Sequence, residues 1–345
     1  MTPNNPNTNM KNDIRIGLIA RADATGLGNQ TQDWVNNLPQ ITKLLLVWGE
    51  LPFDPNVFQD KETIVCKQGM PSIEEIKDFV KDIDVLMAIE TPYNWNAFSI
   101  AKSAGVKTIL APNYEFFPNA IPEEPDLYLC YNPLTMDYIP EPKVYLQQPL
   151  DRNQFEFKLR TKAKTFLFNN GNGGVLGRNS LSEFVQAIPL VKSDVKFIIH
   201  SQVPFDTIND SRVTAKIGNF SLAEIWKEGD VFVHLRKFGA NSLPIQEAMS
   251  LGMPILGVDR KPENEFLPKE LLVEPEKTMP IKIREDLIEI EASIISPLKI
   301  AEKIDEIANT DISKYSKMMD KQAEKWSWDN LRDKWIEEIT KLARR

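Results

Sequence analysis

The chain has 345 residues, 42% of them hydrophobic and 26% charged, ordinary globular values with room for two domains. Of its net charge of −8, the first 160 residues carry −7 (14 Lys and Arg against 21 Asp and Glu), which does not favour duplex DNA or an anionic membrane as partner. No apolar run approaches the ~18–20 residues of a membrane helix, and Cys66 and Cys130 stand singly in apolar stretches, as buried thiols of a cytoplasmic protein would.

From the N-terminus, residues 1–12 are polar and Asn-rich, lack the apolar core of a signal peptide and read as a disordered leader. Strands are expected at Ile14–Ala20, Lys43–Gly49, Asp84–Glu90, Lys107–Pro112 and Asp126–Tyr131. Between them, Ser72 with Glu75 three residues on caps a helix over "PSIEEIKDFVKD", and Asn96–Ala104 reads as a second. Asp82-Ile83-Asp84 has the D-x-D form of metal-dependent transferases, but it precedes a strand and reads as a solvated helix end.

After "PLDRNQFEFKLRTKAK" (Pro149–Lys164) the alternation starts again. Strands fall at "TFLFNN", "VKFIIHS", "RVTAKIG", "DVFVHL" and "PILGVD", helices at Ser180–Leu190, Leu222–Lys227, Leu243–Leu251 and Leu298–Asn309. Continuous apolar strands separated by helices indicate parallel sheets covered on both faces. The expected fold is α/β: two facing Rossmann-like doubly wound domains, 13–155 and 156–325, with a C-terminal helix over 326–345. In that helix Trp328, Leu331, Trp335, Ile339 and Leu342 share one face, which is expected to anchor it onto a domain, a sugar-stacking platform of tryptophans being the alternative.

In open sheets of this kind ligands sit beyond the carboxyl ends of the strands, and three loops there carry unusual residues. "RADATGLGNQTQDW" follows the first strand. Its Gly26 and Gly28 let a ligand approach the backbone, and Glu50 ends the second strand near the place of a ribose-binding acid. Thr31 replaces the third glycine of G-x-G-x-x-G, so a plain tight turn reads nearly as well. "NNGNGGVLGRNS" (Asn169–Ser180) has four glycines, Gly173 after Asn172 among them, and then Arg178 at a helix start. Amides and a guanidinium together suit a diphosphate; an exposed turn is the alternative.

The third loop lies in "LRKFGANSLPIQEAMSLGMPILGVD" (Leu235–Asp259). Gly239 and Ala240 leave space, while Asn241 and Ser242 cap a helix opening at Leu243-Pro244. The amides and dipole of that helix face whatever lies above the sheet. Arg236 and Lys237 add charge at the same rim, and Glu247, one turn in, can accept from a vicinal diol such as a ribose; an exposed helix residue is the alternative. His200 and His234 stand without H-E-x-x-H or C-x-x-C, so no metal site is expected.

These stretches resemble the retaining GT-B glycosyltransferases, family 4-like, that use nucleotide sugars. The segment L-P-x-x-E-A-x-x-x-G-x-P-I/V is the most specific and runs here from Leu243 to Ile255. "IWKEGDVFVHLRKFGANS" resembles the lead-in to the family's donor loop, "FLFNNGNGGVLGRNSLSEFVQAI" the start of its nucleotide-binding domain, and "WSWDNLRDKW" its terminal helix. The resemblance implies that Glu247 binds the ribose, that Arg178 neutralises the diphosphate, and that amides at Asn241, Ser242 and Leu243 hold phosphate or sugar oxygens. It implies that Ile217, Gly218 and Asn219 line the base and that Gly26 and Gly28 face the donor. Two departures stand out. Gly239 occupies the first position of E-x7-E, where the family has a sugar-contacting glutamate, and the family's first-half histidine has no counterpart near "MAIETPYNW". R-[RK]-x-G before the L-P segment is like that of a subgroup with these departures.

The reaction so implied moves a sugar from a nucleoside diphosphate sugar to a hydroxyl acceptor, with retention and without metal or cofactor. Arg178, Arg236 and Lys237 would stabilise the departing diphosphate. Glu90, Tyr93, Asn94 and Trp95, with Asn113, Tyr114 and Glu115, end two first-half strands and suit a hydroxylated acceptor, Glu90 or Glu115 taking its proton. Ordinary loop residues are the alternative there. A sugar acceptor is expected ahead of a hydroxylated base in nucleic acid. Other classes stay open: an NAD-dependent dehydrogenase built on Gly26, Gly28 and Glu50, a non-catalytic sugar-nucleotide-binding protein, for which Gly239 speaks, and a sugar-nucleotide epimerase, which needs no acceptor.

Overall fold

The computed structural model describes residues 14–47, 55–67, 69–206, 208–239 and 242–345. The leader 1–12, Glu50, Ala240 and Asn241 lie outside the described residues. Two compact units divide the chain after Asp151 and after Trp326, the last segment, Ser327–Arg345, belonging to the first unit.

The first unit opens with β1 (Ile16–Arg21), α1 (Gly26–Asn37), β2 (Ile41–Val47), β3 (Glu62–Val65), α2 (Ile73–Phe79) and β4 (Val85–Ile89). It continues with α3 (Asn96–Ser103), β5 (Lys107–Ala111), β6 (Leu127–Cys130), α4 (Pro133–Tyr138) and β7 (Lys143–Tyr145). The sheet is wholly parallel, in the order β3-β2-β1-β4-β5-β6-β7. Its central strand β4 is buried at every residue, which is why it reads as an unbroken apolar run. The Ser72–Glu75 capping box forms as the sequence indicates and starts α2. Asp84 accepts the Arg15 amide at 2.8 Å at the amino end of the sheet, away from any strand-end site. Cys66 and Cys130 are free and buried, and burial pushes both thiols up to about 12.

The second unit repeats the winding with β8 (Thr165–Gly171), α5 (Leu181–Ala187), β9 (Lys196–Ser201), β10 (Val213–Ile217), α6 (Leu222–Ile225) and β11 (Val231–Val233). Then follow α7 (Leu243–Ser250), β12 (Ile255–Val258), β13 (Leu272–Val273), an antiparallel hairpin of β14 (Lys277–Ile281) and β15 (Ile290–Ile294), α8 (Pro297–Ala308) and α9 (Ser313–Lys325). The parallel sheet has the order β10-β9-β8-β11-β12-β13. Alternate residues serve opposite faces. Phe168, Phe197 and Val233 pack with Phe184, Ile300 and Ile304, whereas Leu167, Ile198 and Phe232 pack with Trp226, Ile245 and Met249.

The chain then returns to the first unit as α10 (Trp328–Ala343). Trp328, Trp335, Ile339 and Leu342 are buried in the core that holds Trp34 of α1, and the Trp34 and Trp335 rings meet edge-on at 4.9 Å. Trp326, just before the helix, packs instead on Phe266 of the second unit. Both units are Rossmann-like, doubly wound parallel sheets, the fold class expected. No helix among the described residues is long and apolar enough to cross a membrane.

Candidate functional site

In both sheets the strand order reverses beside the first strand, between β1 and β4 and between β8 and β11. Such a switch point leaves a crevice at the carboxyl ends, because the two flanking loops run to opposite faces. In the second unit those loops are Asn172–Ser180 and His234–Ser242, two of the three singled out by sequence.

The first of these loops is tightly turned. Gly171, Gly173, Gly174 and Gly177 take φ of 55°, 88°, 67° and 62°, which only glycine adopts without strain, and Leu176 and Ser180 join them at 51° and 58°. Asn172 Oδ1 accepts the Gly174 amide, and Asn179 Nδ2 donates to the Asn170 carbonyl at 2.8 Å. The turn carries Arg178, whose carbonyl accepts the Lys237 amide at 2.8 Å, so the two loops are joined by a main-chain hydrogen bond. Lys237 Nζ meets Glu183 Oε1 at 2.7 Å. Its charge is already matched by a carboxylate of α5.

At the other side, Ser242 precedes α7 in extended conformation, and Pro244 opens the helix. The Ser242 side chain does not cap it: its Oγ is buried and has no hydrogen-bond partner among the described residues. Leu243 is buried at the first helical position. One turn on, Glu247 is buried, and its Oε2 accepts the Trp226 indole N–H at 2.9 Å.

Between these features sits a group that sequence reasoning did not assign. Arg260, after β12, donates through Nη2 to the Gly239 carbonyl at 2.7 Å and through Nη1 to Glu263 Oε2 at 2.6 Å. Both side chains are buried. Burial raises the pKa of Glu263, against the pull of Arg260 and Arg236. His234, directly after β11, is held well below the usual imidazole value by burial and then by Arg236, Arg260 and Arg178. Arg178 and Arg236, far apart in sequence, are thus within electrostatic reach of one imidazole. A charged residue directly after an apolar strand, as in "GVDR", is the signal that would have drawn attention to Arg260.

Gly239 itself has φ of 105°, a backbone that a side chain rarely adopts. A glutamate there would be strained, which gives a physical reason for the departure from E-x7-E.

The remaining sequence candidates lie elsewhere. Ile217, half exposed, ends β10 at the edge of the sheet. Gly218 donates to the Ser201 carbonyl at 2.9 Å, and Asn219 Oδ1 accepts from Gln202 Nε2 at 3.0 Å. In the first unit, Gly26 has open space where a Cβ would be, whereas a Cβ at Gly28 would come within 1.8 Å of the Asp23 carbonyl. The close approach that Gly28 permits is therefore to the chain itself. Glu90 and Tyr93 follow β4 with φ of 66° and 59°. Glu90 Oε1 accepts from Asn113 Nδ2 at 2.9 Å, and burial, then the Glu90 charge, raises the Tyr93 pKa. Glu115 is buried in the turn Tyr114–Phe116 after β5. Among the described residues no cluster of three or more His, Cys, Asp or Glu has the form of a metal site.

No family model and no curated protein sequence matches the chain. Solved structures do match in fold. Anabaena Alr3699/HepE, in complex with UDP and glucose, superposes with a TM-score of 0.66 at 11% identity, over 95% of this chain and 100% of that one. A glycosyltransferase from Rickettsia africae gives 0.66 at 12% identity, over 97% and 99%. Sucrose-phosphate synthase from Thermosynechococcus elongatus gives 0.65 at 12% identity, over 96% and 98%. The chain therefore has the GT-B fold of these structures, over 95–97% of its length.

Proposed function

We propose that the chain is a glycosyltransferase taking a sugar from a nucleoside diphosphate sugar and passing it to a hydroxyl acceptor. One observation carries the reading: at the switch point of the second unit the Arg260 guanidinium is bonded to the Gly239 carbonyl and the Arg178 carbonyl to the Lys237 amide, so that both arginines join the loop leading to α7, where Glu247 is buried. A diphosphate needs the cations and free amides, and a ribose needs the carboxylate. The three enzymes of the same fold support it, and HepE has been seen with UDP and glucose, so UDP is the first nucleotide to test.

As the glycosidic bond to phosphate breaks, the sugar becomes oxocarbenium-like and the departing diphosphate gathers charge. Arg178 and Arg236 stabilise that charge, while Lys237, matched by Glu183, chiefly orders the loop. Amides at Asn241, Ser242 and Leu243, with those at Asn172, Gly173, Gly239 and Ala240, take phosphate and sugar oxygens. Ile217, Gly218 and Asn219 line the base. The acceptor, a sugar in this reading, binds the first unit, where Glu90 or Glu115 takes the hydroxyl proton. Retention of configuration and independence of metal belong to the same proposal.

A thermal-shift panel of UDP, GDP, ADP, dTDP and NAD tests the reading. Stabilisation by one nucleoside diphosphate, followed by release of that nucleotide from its sugar conjugate, is the expected result. Stabilisation without turnover, with and without candidate acceptors, would point to a binding protein, consistent with Gly239. A shift with NAD alone would overturn the reading.

A further inference from the structure

We propose that His234 binds the diphosphate, its Nε2 hydrogen-bonding a phosphate oxygen. This deepens the reading above and rests on it. His234 is the residue directly after β11 at the switch point, and it is 6% exposed. Its Nε2 has no hydrogen-bond partner among the described residues, and the Glu263 carboxylate stands 3.9 Å away, beyond hydrogen-bonding distance. Buried polar atoms are nearly always satisfied, so an orphan at a strand end points to a ligand that completes it. A second orphan, the buried Ser242 Oγ, closes the same loop at the start of α7.

The surroundings specify an anion. Burial, and then Arg236, Arg260 and Arg178, hold the imidazole well below its ordinary value, and Glu263, the carboxylate facing it, is bound to Arg260. A neutral imidazole adds a hydrogen bond there without a further positive charge beside three guanidiniums. His234 lies 5.6 Å from Phe232, ring centre to ring centre, and Phe232 lies 5.1 Å from Trp226. These buried core rings place His234 on the same side of β11 as Trp226, the partner of Glu247.

The chain has two histidines, so its imidazole ¹⁵N spectrum holds two ring systems, separable with His200→Gln. UDP is added to saturation, followed by calorimetry, and uridine is added as the control without phosphates. The expected result is a shift of His234 Nε2 with UDP and none with uridine. In parallel, His234→Phe should lose at least tenfold in UDP affinity with uridine affinity unchanged, and His234→Gln should recover to within threefold of wild type. Calorimetric UDP binding with an unmoved His234 resonance, or equal losses for UDP and uridine in His234→Phe, would overturn this inference and leave the glycosyltransferase reading standing. Failure of the wild type to bind UDP, GDP or ADP would remove both.

Discussion

The indole N–H of Trp226 donates to Glu247 Oε2 at 2.9 Å, and both side chains are buried. The bond aims the carboxyl group before any ligand arrives, since a fixed donor holds a buried acceptor in one orientation. Glu247→Ala should weaken UDP binding by ~1.5–3 kcal/mol for each hydrogen bond lost to the ribose. Trp226→Phe should weaken it less, because the carboxylate stays but turns. Calorimetry on the two variants checks the order, and unchanged affinity in Glu247→Ala means that Glu247 does not touch the ribose.

Arg178 is read as acting on charge that develops during bond breaking. Arg178→Ala should therefore lower kcat for donor turnover by ~100-fold or more, in the range for losing one preorganised charge-stabilising group. The affinity for uridine should stay near wild type. Equal losses in both would assign Arg178 to ground-state binding instead. Chelation with EDTA should leave the rate unchanged, and a rate restored only by added divalent cation would contradict the metal-free part of the proposal.

The terminal helix gives a pH prediction. Asp33 of α1 accepts the Trp328 indole N–H at 2.6 Å and the Asp151 amide at 3.0 Å, yet burial pushes its carboxyl up to about 7 from an ordinary 3.8. Between those values the folded chain holds a proton that the unfolded chain has lost. Stability should thus fall as pH rises through that window, by at most ~1.4 kcal/mol per pH unit from this group. Asp33→Asn keeps an acceptor for Trp328 and removes the titration. Urea unfolding of both proteins from pH 4 to 8 checks it: the variant should gain on the wild type as pH rises, and a constant difference would show Asp33 already ionised in the fold.

Gly26 and Gly28 separate packing from recognition. Gly28→Ala forces a Cβ against the Asp23 carbonyl and should cost ~1–3 kcal/mol. Gly26→Ala, with open space on α1, should be neutral or stabilise by up to ~1 kcal/mol. Thermal unfolding distinguishes the two. A severe loss of stability in Gly26→Ala would mean that its surroundings are not open.

These outcomes show where the sequence was informative. The apolar runs of β1, β4, β8 and β12 could be read directly because both faces of each sheet are covered, and Ser72 with Glu75 marked α2 by hydrogen bonds local to the chain. Strands β3 and β7 escaped notice, being four and three residues long, at sheet edges and partly exposed. The strand-end loops drew attention through Gly173, Arg178 and Glu247, and the structure places all three after strands of the second sheet or on the helix that follows. His234, Arg260 and Glu263 were not, because their meaning lies in contacts between the ends of β11 and β12 that no local pattern encodes. The need for glycine at 239 became clear only from its φ of 105°. At Gly28 the pattern left a ligand and a plain tight turn open, and the space a Cβ would need is taken by Asp23 of the same chain.

Cleavage of the bond between sugar and diphosphate is the step on which the proposed function rests. The most direct measurement follows nucleoside diphosphate release from UDP-glucose, GDP-glucose, ADP-glucose and dTDP-glucose, each with and without sugar acceptors, in wild type and Arg178→Ala. Release from one donor is expected, accelerated by an acceptor and nearly abolished in the variant. Binding of a nucleotide with no release from any donor under any of these conditions, or release equal in wild type and variant, would contradict it.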